Sequence, residues 1–119
     1  MKSPRYIDHR GKRILYLDLV HASPGEQLAA MREAAEAMVP EADGSVLLLV
    51  DITGSVENGS LEEDVRRFGS ASGAKLRARA VVGATGLKRL TFERSRASFI
   101  GEAAAFEDLE RARDWLVER

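Results

Sequence analysis

Residues 46–50 read Val-Leu-Leu-Leu-Val, and this apolar run constrains the fold more than any other segment. Successive side chains of an extended strand point to opposite faces. A strand with no polar member therefore has no face to offer to water. It is stable when both faces are covered, as in the centre of a parallel sheet flanked by helices. The rest of the chain must supply those helices and the neighbouring strands.

The sequence around the run does so. Residues 5–8 form a short strand candidate, and His9, Arg10, Gly11 and Lys12 supply a turn in which glycine tolerates positive φ. Residues 13–20 alternate, with Leu15, Leu17 and Leu19 on one face and Ile14, Tyr16, Asp18 and Val20 on the other. The two segments predict an antiparallel hairpin. Ser23 and Pro24 open a helix as N-cap and first helical residue, and Leu28, Met31, Ala35 and Met38 recur at helical spacing until Pro40. Residues 60–72 predict a second helix with Leu61, Val65 and Phe68 inward and a Ser60–Glu63 capping box. Residues 77–84 predict a third core strand, and residues 86–96 a helix with Leu87 and Leu90 inward. Residues 103–106 predict a last strand, and residues 107–118 a helix that buries Leu109, Ala112 and Leu116 beside Trp115.

The order β-β-α-β-α-β-α-β-α predicts an α/β fold with a mixed, mostly parallel sheet and right-handed crossovers. The 119 residues suit a single domain, because two halves would each be too small to bury a good core. An apolar share of 45% and a charged share of 31% are ordinary for a globular chain.

Charge and composition exclude several function classes. The net charge of −1 sets up no strong field toward nucleic acid or membrane. Residues 75–96 hold seven basic residues against one acid, and residues 101–119 hold six acids against three bases, a dipolar surface that can steer a charged partner or pair with a second copy as a homodimer, the plainer reading being a solvated surface. The basic stretch carries no legible nucleic-acid motif, and its nearby aromatics are Phe92 and Phe99. With no cysteine, disulfides, thiolate metal sites and a cysteine nucleophile are excluded. No signal core precedes residue 13, and no run approaches the roughly 18 apolar residues that span a membrane. A cytoplasmic location is the expectation.

Two loops carry candidate site residues. Asp51, Thr53 and Gly54 follow the central strand, and Ser60 opens the next helix. Together they present hydroxyls to a protein partner, and a phosphate on Ser60 would lie at a positive helix terminus. The plainer reading is that Asp51 and Thr53 tie down the loop while Ser60 caps its helix. The second loop holds Gly83, Thr85, Gly86, Lys88 and Arg89, in strand–turn–helix order. Backbone N–H groups, a hydroxyl and two cations suit an anion there, although the spacing matches neither a P-loop nor a dinucleotide fingerprint. The plainer reading is a turn capped by Thr85.

Catalytic constellations are poorly represented. The two histidines, His9 and His21, lack the i, i+4 spacing of a helical metal pair. A triad of Asp51, His21 and a loop serine lacks the strand-to-helix serine elbow such enzymes use. Glu62, Glu63 and Asp64 sit in a first helical turn, where acids favour the helix dipole.

Three segments together carry a resemblance: LLLVDITG at 47–54, ARAVVGATGLKRL at 78–90 and AFEDLERARDWL at 105–116. In order and spacing they resemble the small bacterial SpoIIAA-like, or STAS/SEC14-domain, family over roughly residues 12–117. The resemblance implies a STAS-like sheet with surrounding helices, no enzymatic activity and no cofactor. Better-known proteins of that fold are anti-sigma factor antagonists, which bind a kinase-like partner and are switched by phosphorylation in an Asp-Ser-Ser-Gly motif. Glu57, Asn58, Gly59 and Ser60 occupy that place here, so only Ser60 stands in for the phosphorylated serine. The SEC14 side of the family implies lipid binding. The leading expectation is thus a non-enzymatic, regulatory protein-interaction domain, and the alternative is a domain for a small anionic ligand or lipid.

Overall fold

The computed structural model describes residues 3–56, 60–98 and 101–119, with backbone alone at Leu61 and Ser98. The expectations for Glu57, Asn58, Gly59, Phe99 and the Leu61 side chain lie outside the described residues.

The chain forms β1 (Arg5–His9), β2 (Lys12–Asp18), α1 (Pro24–Met38), β3 (Val46–Asp51), α2 (Leu61–Ser72), β4 (Leu76–Val82), α3 (Leu87–Ser95), β5 (Glu102–Phe106) and α4 (Leu109–Val117). This is the predicted order. The five strands pair in the order β1-β2-β3-β4-β5. The hairpin is antiparallel and puts β1 at one edge, and every later pairing is parallel. The strand from 77 ends at Val82 rather than 84, because Gly83 turns the chain at φ +85°.

A sequential strand order decides where the helices go. Right-handed crossovers that always step in one direction deliver their helices to one face. One core accordingly joins Leu15, Leu17 and Leu48 to Met31 and Met38 of α1 and Phe68 of α2. The other joins Ile14, Tyr16, Leu47, Leu49, Ala78 and Ala80 to Ala112 and Leu116 of α4. The apolar run of β3 is thereby covered on both sides, as its composition requires.

Helix ends show where local chemistry was read correctly and where it was not. Ser23 and Glu26 close a reciprocal capping box at α1, with Ser23 Oγ accepting from the Glu26 N–H at 3.2 Å and Glu26 Oε1 accepting from the Ser23 N–H at 3.0 Å. The predicted box at α2 does not form. Ser60 is the N-cap residue but its side chain makes no capping bond, and Glu63 pairs with Arg67 at 3.0 Å instead. At α3 the N-cap is Gly86, not Thr85, and the Thr85 carbonyl accepts from the Lys88 N–H at 3.1 Å.

Candidate functional site

The two candidate loops meet. Asp51 is buried, and its Oδ1 accepts from the Thr53 N–H at 3.0 Å and from Thr53 Oγ1 at 2.6 Å. This turn, in which an aspartate bonds the backbone two residues on, lays Thr53 against Gly83. A Cβ added at Gly83 would sit 2.8 Å from the Thr53 N and Cα atoms. The Ile52 N–H donates to the Val82 carbonyl at 2.9 Å, the Gly83 N–H to the Phe106 carbonyl at 3.1 Å, and the His21 N–H to the Thr53 carbonyl at 2.9 Å. The carboxyl ends of four parallel strands are knitted together by these bonds. Asp51 therefore shapes the loop from inside, and Thr53 and Gly54 are the members that face solvent.

The remaining candidates spread out. Ser60 is exposed, and its hydroxyl lies 3.4 Å from Asp64 Oδ2. Thr85 and Gly86 are exposed, and Arg89 is turned outward to Glu93 at 3.2 Å. Only Lys88 of the second group lines the pocket described next.

That pocket exists because α3 is turned the other way round from the expectation. Leu87 and Leu90, predicted inward, are 67% and 45% exposed. The inward stripe is Lys88, Thr91, Phe92 and Ser95, which also has helical i, i+3, i+4, i+7 spacing. A helix that shows leucine to water and polar groups to the sheet cannot close a dry interface. A pocket of about 90 Å³ remains under it, walled by Leu17, Leu48, Val50 and Val81 of the sheet side and by Val65 and Phe68 of α2.

One charged side chain of the sheet enters this wall. Arg79 is 5% exposed, in the middle of β4. It shares a face with Val81 by strand alternation, toward α1–α3. Its Nη1 donates to Ser95 Oγ at 3.0 Å, and Ser95 Oγ donates to the Phe92 carbonyl at 2.7 Å. Three guanidinium groups surround the Phe92 ring, those of Arg79, Arg89 and Arg96 at 5.2, 5.7 and 4.8 Å from its centre. Burial first, and the Arg96 charge second, push the Arg79 pKa down to about 10, so the group remains a cation at neutral pH. Lys88 adds a second cation to the lining, and among the described residues no aspartate or glutamate lines the pocket.

Arg79, Phe92 and Ser95 were not singled out from the sequence. The signal lay in position alone, because Arg77 near the start of the strand is exposed whereas Arg79 lies in its middle between Ala78 and Ala80.

The histidines take other partners. His9 Nε2 lies 2.8 Å from Asp114 Oδ1 on the α4 side, and His21 Nδ1 lies 3.3 Å from the Gly54 carbonyl oxygen. Asp51 and His21 thus do not form the dyad a serine hydrolase would need. Among the described residues no cluster of histidine, aspartate and glutamate is arranged to hold a metal, and no helix is long and apolar enough to cross a membrane.

Comparison with known proteins agrees with this architecture. No curated protein sequence matches the chain. A crystal structure of an uncharacterised protein of the DUF3478 family from Shewanella loihica PV-4, described as having a SpoIIAA-like fold, superimposes with a TM-score of 0.71. It is 18% identical, and the alignment covers 96% of this chain and 92% of that one, so the likeness speaks for the fold alone. The sequence pattern of the SpoIIAA-like family matches residues 14–117. With nearly the whole chain inside that match, and the sheet and helices as that fold has them, this protein belongs to the SpoIIAA-like family.

Proposed function

We propose that the chain is a non-catalytic, regulatory binding domain whose ligand occupies the pocket between the sheet and α1–α3. The observation that carries this reading is the inverted α3. A helix that turns Lys88, Thr91 and Ser95 toward the core while Leu87 and Leu90 face solvent violates the ordinary apolar-inward rule. Such local violations are expected at functional sites, where stability is given up for a specific surface. Thermal-shift measurement across a panel of small apolar and amphipathic compounds tests it, since a ligand bound only by the folded state raises the apparent stability. Native protein is expected to shift, and Thr91→Phe, which adds a ring at the pocket's helical rim, to respond less. A flat response of the native protein across the panel removes the reading.

A protein partner is the second element, as in the anti-sigma factor antagonists the fold resembles. What favours it is α2, which walls the pocket with Val65 and Phe68 and carries the exposed Ser60 at its head. Partner capture that is weakened by Ser60→Glu and spared by Ser60→Ala supports a phosphate-sensitive surface there, and equal capture by both removes Ser60 from it. For a homodimer, the charge argument weakens, because much of the basic stretch is paired within one chain. Lys75 meets Asp43 at 3.4 Å, Arg94 meets Glu62 at 3.2 Å, and Arg96 meets Glu93 at 3.1 Å.

A further inference from the structure

We propose that the pocket is the anchor subsite for a protein partner: it takes one aliphatic side chain, of leucine or isoleucine size, from an acidic peptide segment that runs over α3. This assignment rests on the pocket reading above and names the kind of partner.

The lining decides what goes inside. Arg79 is buried and its Nη1 donates to Ser95 Oγ, so it braces α3 against the sheet and is not offered to a ligand. The surface that an occupant meets is almost wholly apolar, with Leu17, Leu48, Val50, Val65 and Phe68 among its walls. A charged or strongly polar group would lose its hydration there with nothing to replace it. Size then limits the body. The pocket measures about 90 Å³, and an engineered apolar cavity of about 150 Å³ accepts benzene. By proportion about four carbon atoms fit, the size of a leucine side chain.

A free molecule of that size binds weakly. Even at the ceiling for very small ligands, about four heavy atoms reach a Kd no better than about 40 μM. Tighter binding needs a larger body outside the pocket, and the rim shows its chemistry. The partly exposed lining residues are Val50, Ile52, Val65, Lys88 and Thr91, so the mouth opens beside α2 and α3. Lys88 and Thr91 supply an ammonium and a hydroxyl to that rim, which suit the polar backbone of a peptide whose side chain points inward. Beyond the mouth, Leu87 lies one turn before Thr91 and Leu90 directly before it, and both are exposed. The helix and its C-cap carry four cations, Lys88, Arg89, Arg94 and Arg96, against one acid, Glu93. Arg89 and Arg96 share that acid, Arg94 pairs with Glu62 of α2, and Lys88 has no ion-pair partner among the described residues. The α3 side of the mouth is therefore net positive, and an acidic segment complements it. An acyl chain would leave most of its length outside so small a pocket.

The test uses the full chain, immobilised to select random peptides displayed on phage and labelled with ¹⁵N for titration. The enriched sequences are expected to share one leucine or isoleucine flanked by aspartate and glutamate. As a free peptide, the tightest of them is expected to shift the amides of Val65, Thr91 and Phe92 saturably, and changing its anchor to alanine to weaken binding by about tenfold or more. Thr91→Phe, which narrows the mouth, is expected to weaken it comparably. Lys88→Glu, which reverses the rim charge, is expected to weaken it by several-fold, with the difference shrinking at high salt. Either variant carries the test should the other not fold. The alcohol 3-methylbutan-1-ol, which mimics a leucine side chain, is titrated separately and is expected to shift the same amides weakly. If the alcohol shifts them and no selected peptide depends on an aliphatic anchor, the peptide assignment falls and the pocket reading stands. An aromatic or basic consensus, or unchanged peptide affinity in the folded variants, also overturns the assignment. Phosphatidylglycerol vesicles that shift these amides when no peptide does overturn it in favour of a membrane surface. No shift with alcohol, peptide or vesicles overturns both the assignment and the pocket reading.

Discussion

The guanidinium of Arg79 lies 5.2 Å from the centre of the Phe92 ring, and Arg96 approaches the same ring to 4.8 Å. The two cations repel each other, and the Arg96 charge contributes to the lowered Arg79 pKa. The aromatic ring offsets that repulsion through its quadrupole. Phe92→Leu is expected to remove this compensation along with ring volume, at a cost of about 2–3 kcal/mol. Urea denaturation of the native and variant proteins checks it. A loss no larger than a few tenths would mean that the ring does not hold the cations.

Gly83 and Gly86 make a matched pair for a second prediction. Both have positive φ, +85° and +57°. A Cβ at Gly83 would meet Thr53 backbone atoms at 2.8 Å, whereas one at Gly86 would meet open space. Gly86→Ala should cost only the strain of a backbone conformation that favours glycine, φ +57° with ψ −129°, about 1–3 kcal/mol. Gly83→Ala should cost more, about 2–4 kcal/mol, because the loop at Thr53 must also move. Equal Tm losses would show that the contact between the two loops is soft.

The helix caps supply a third. Ser23→Ala breaks the capping box of α1 and is expected to cost about 1 kcal/mol. Ser60→Ala removes a hydroxyl that makes no capping bond at α2, so its effect should be clearly smaller. Chemical denaturation in parallel distinguishes the two, and the reverse order would contradict the capping assignments.

Acid stability gives a fourth. The hydrogen bond from His9, with help from the Arg10, His9 and Arg113 charges, holds the Asp114 carboxyl below the usual aspartate range despite some desolvation. A carboxyl whose pKa is lowered in the folded state stabilises the fold above its unfolded pKa, and that contribution is lost as pH falls through the lowered value. His9→Ala is expected to return Asp114 toward the ordinary range and to reduce the slope of stability between neutral and acidic pH. Carboxyl NMR titration of Asp114 checks the first part. An unmoved titration would show that His9 is not the main cause.

Much of the architecture was legible before any coordinates. The five-residue apolar run demanded cover on two faces, the alternation at Leu15, Leu17 and Leu19 assigned β2 its two sides, and Ser23-Pro24 marked the start of α1. These are local signals, set by chain geometry and backbone hydrogen bonding, and neighbours had no way to reverse them. The α3 assignment failed for the opposite reason. Leu87 and Leu90 give one helical stripe, and Lys88, Thr91, Phe92 and Ser95 give another, so periodicity alone did not choose.

Sequence by itself therefore determined the element order, the mixed sheet and the burial of β3, because each follows from residue spacing along one element. Tertiary structure decided which side of α3 faces the sheet, that Thr53 rests on Gly83, and that Arg79 enters a pocket with Phe92 and Ser95. Those outcomes depend on the volume left between elements distant in sequence. That volume is fixed only when the strands have paired and the helices have settled on the sheet.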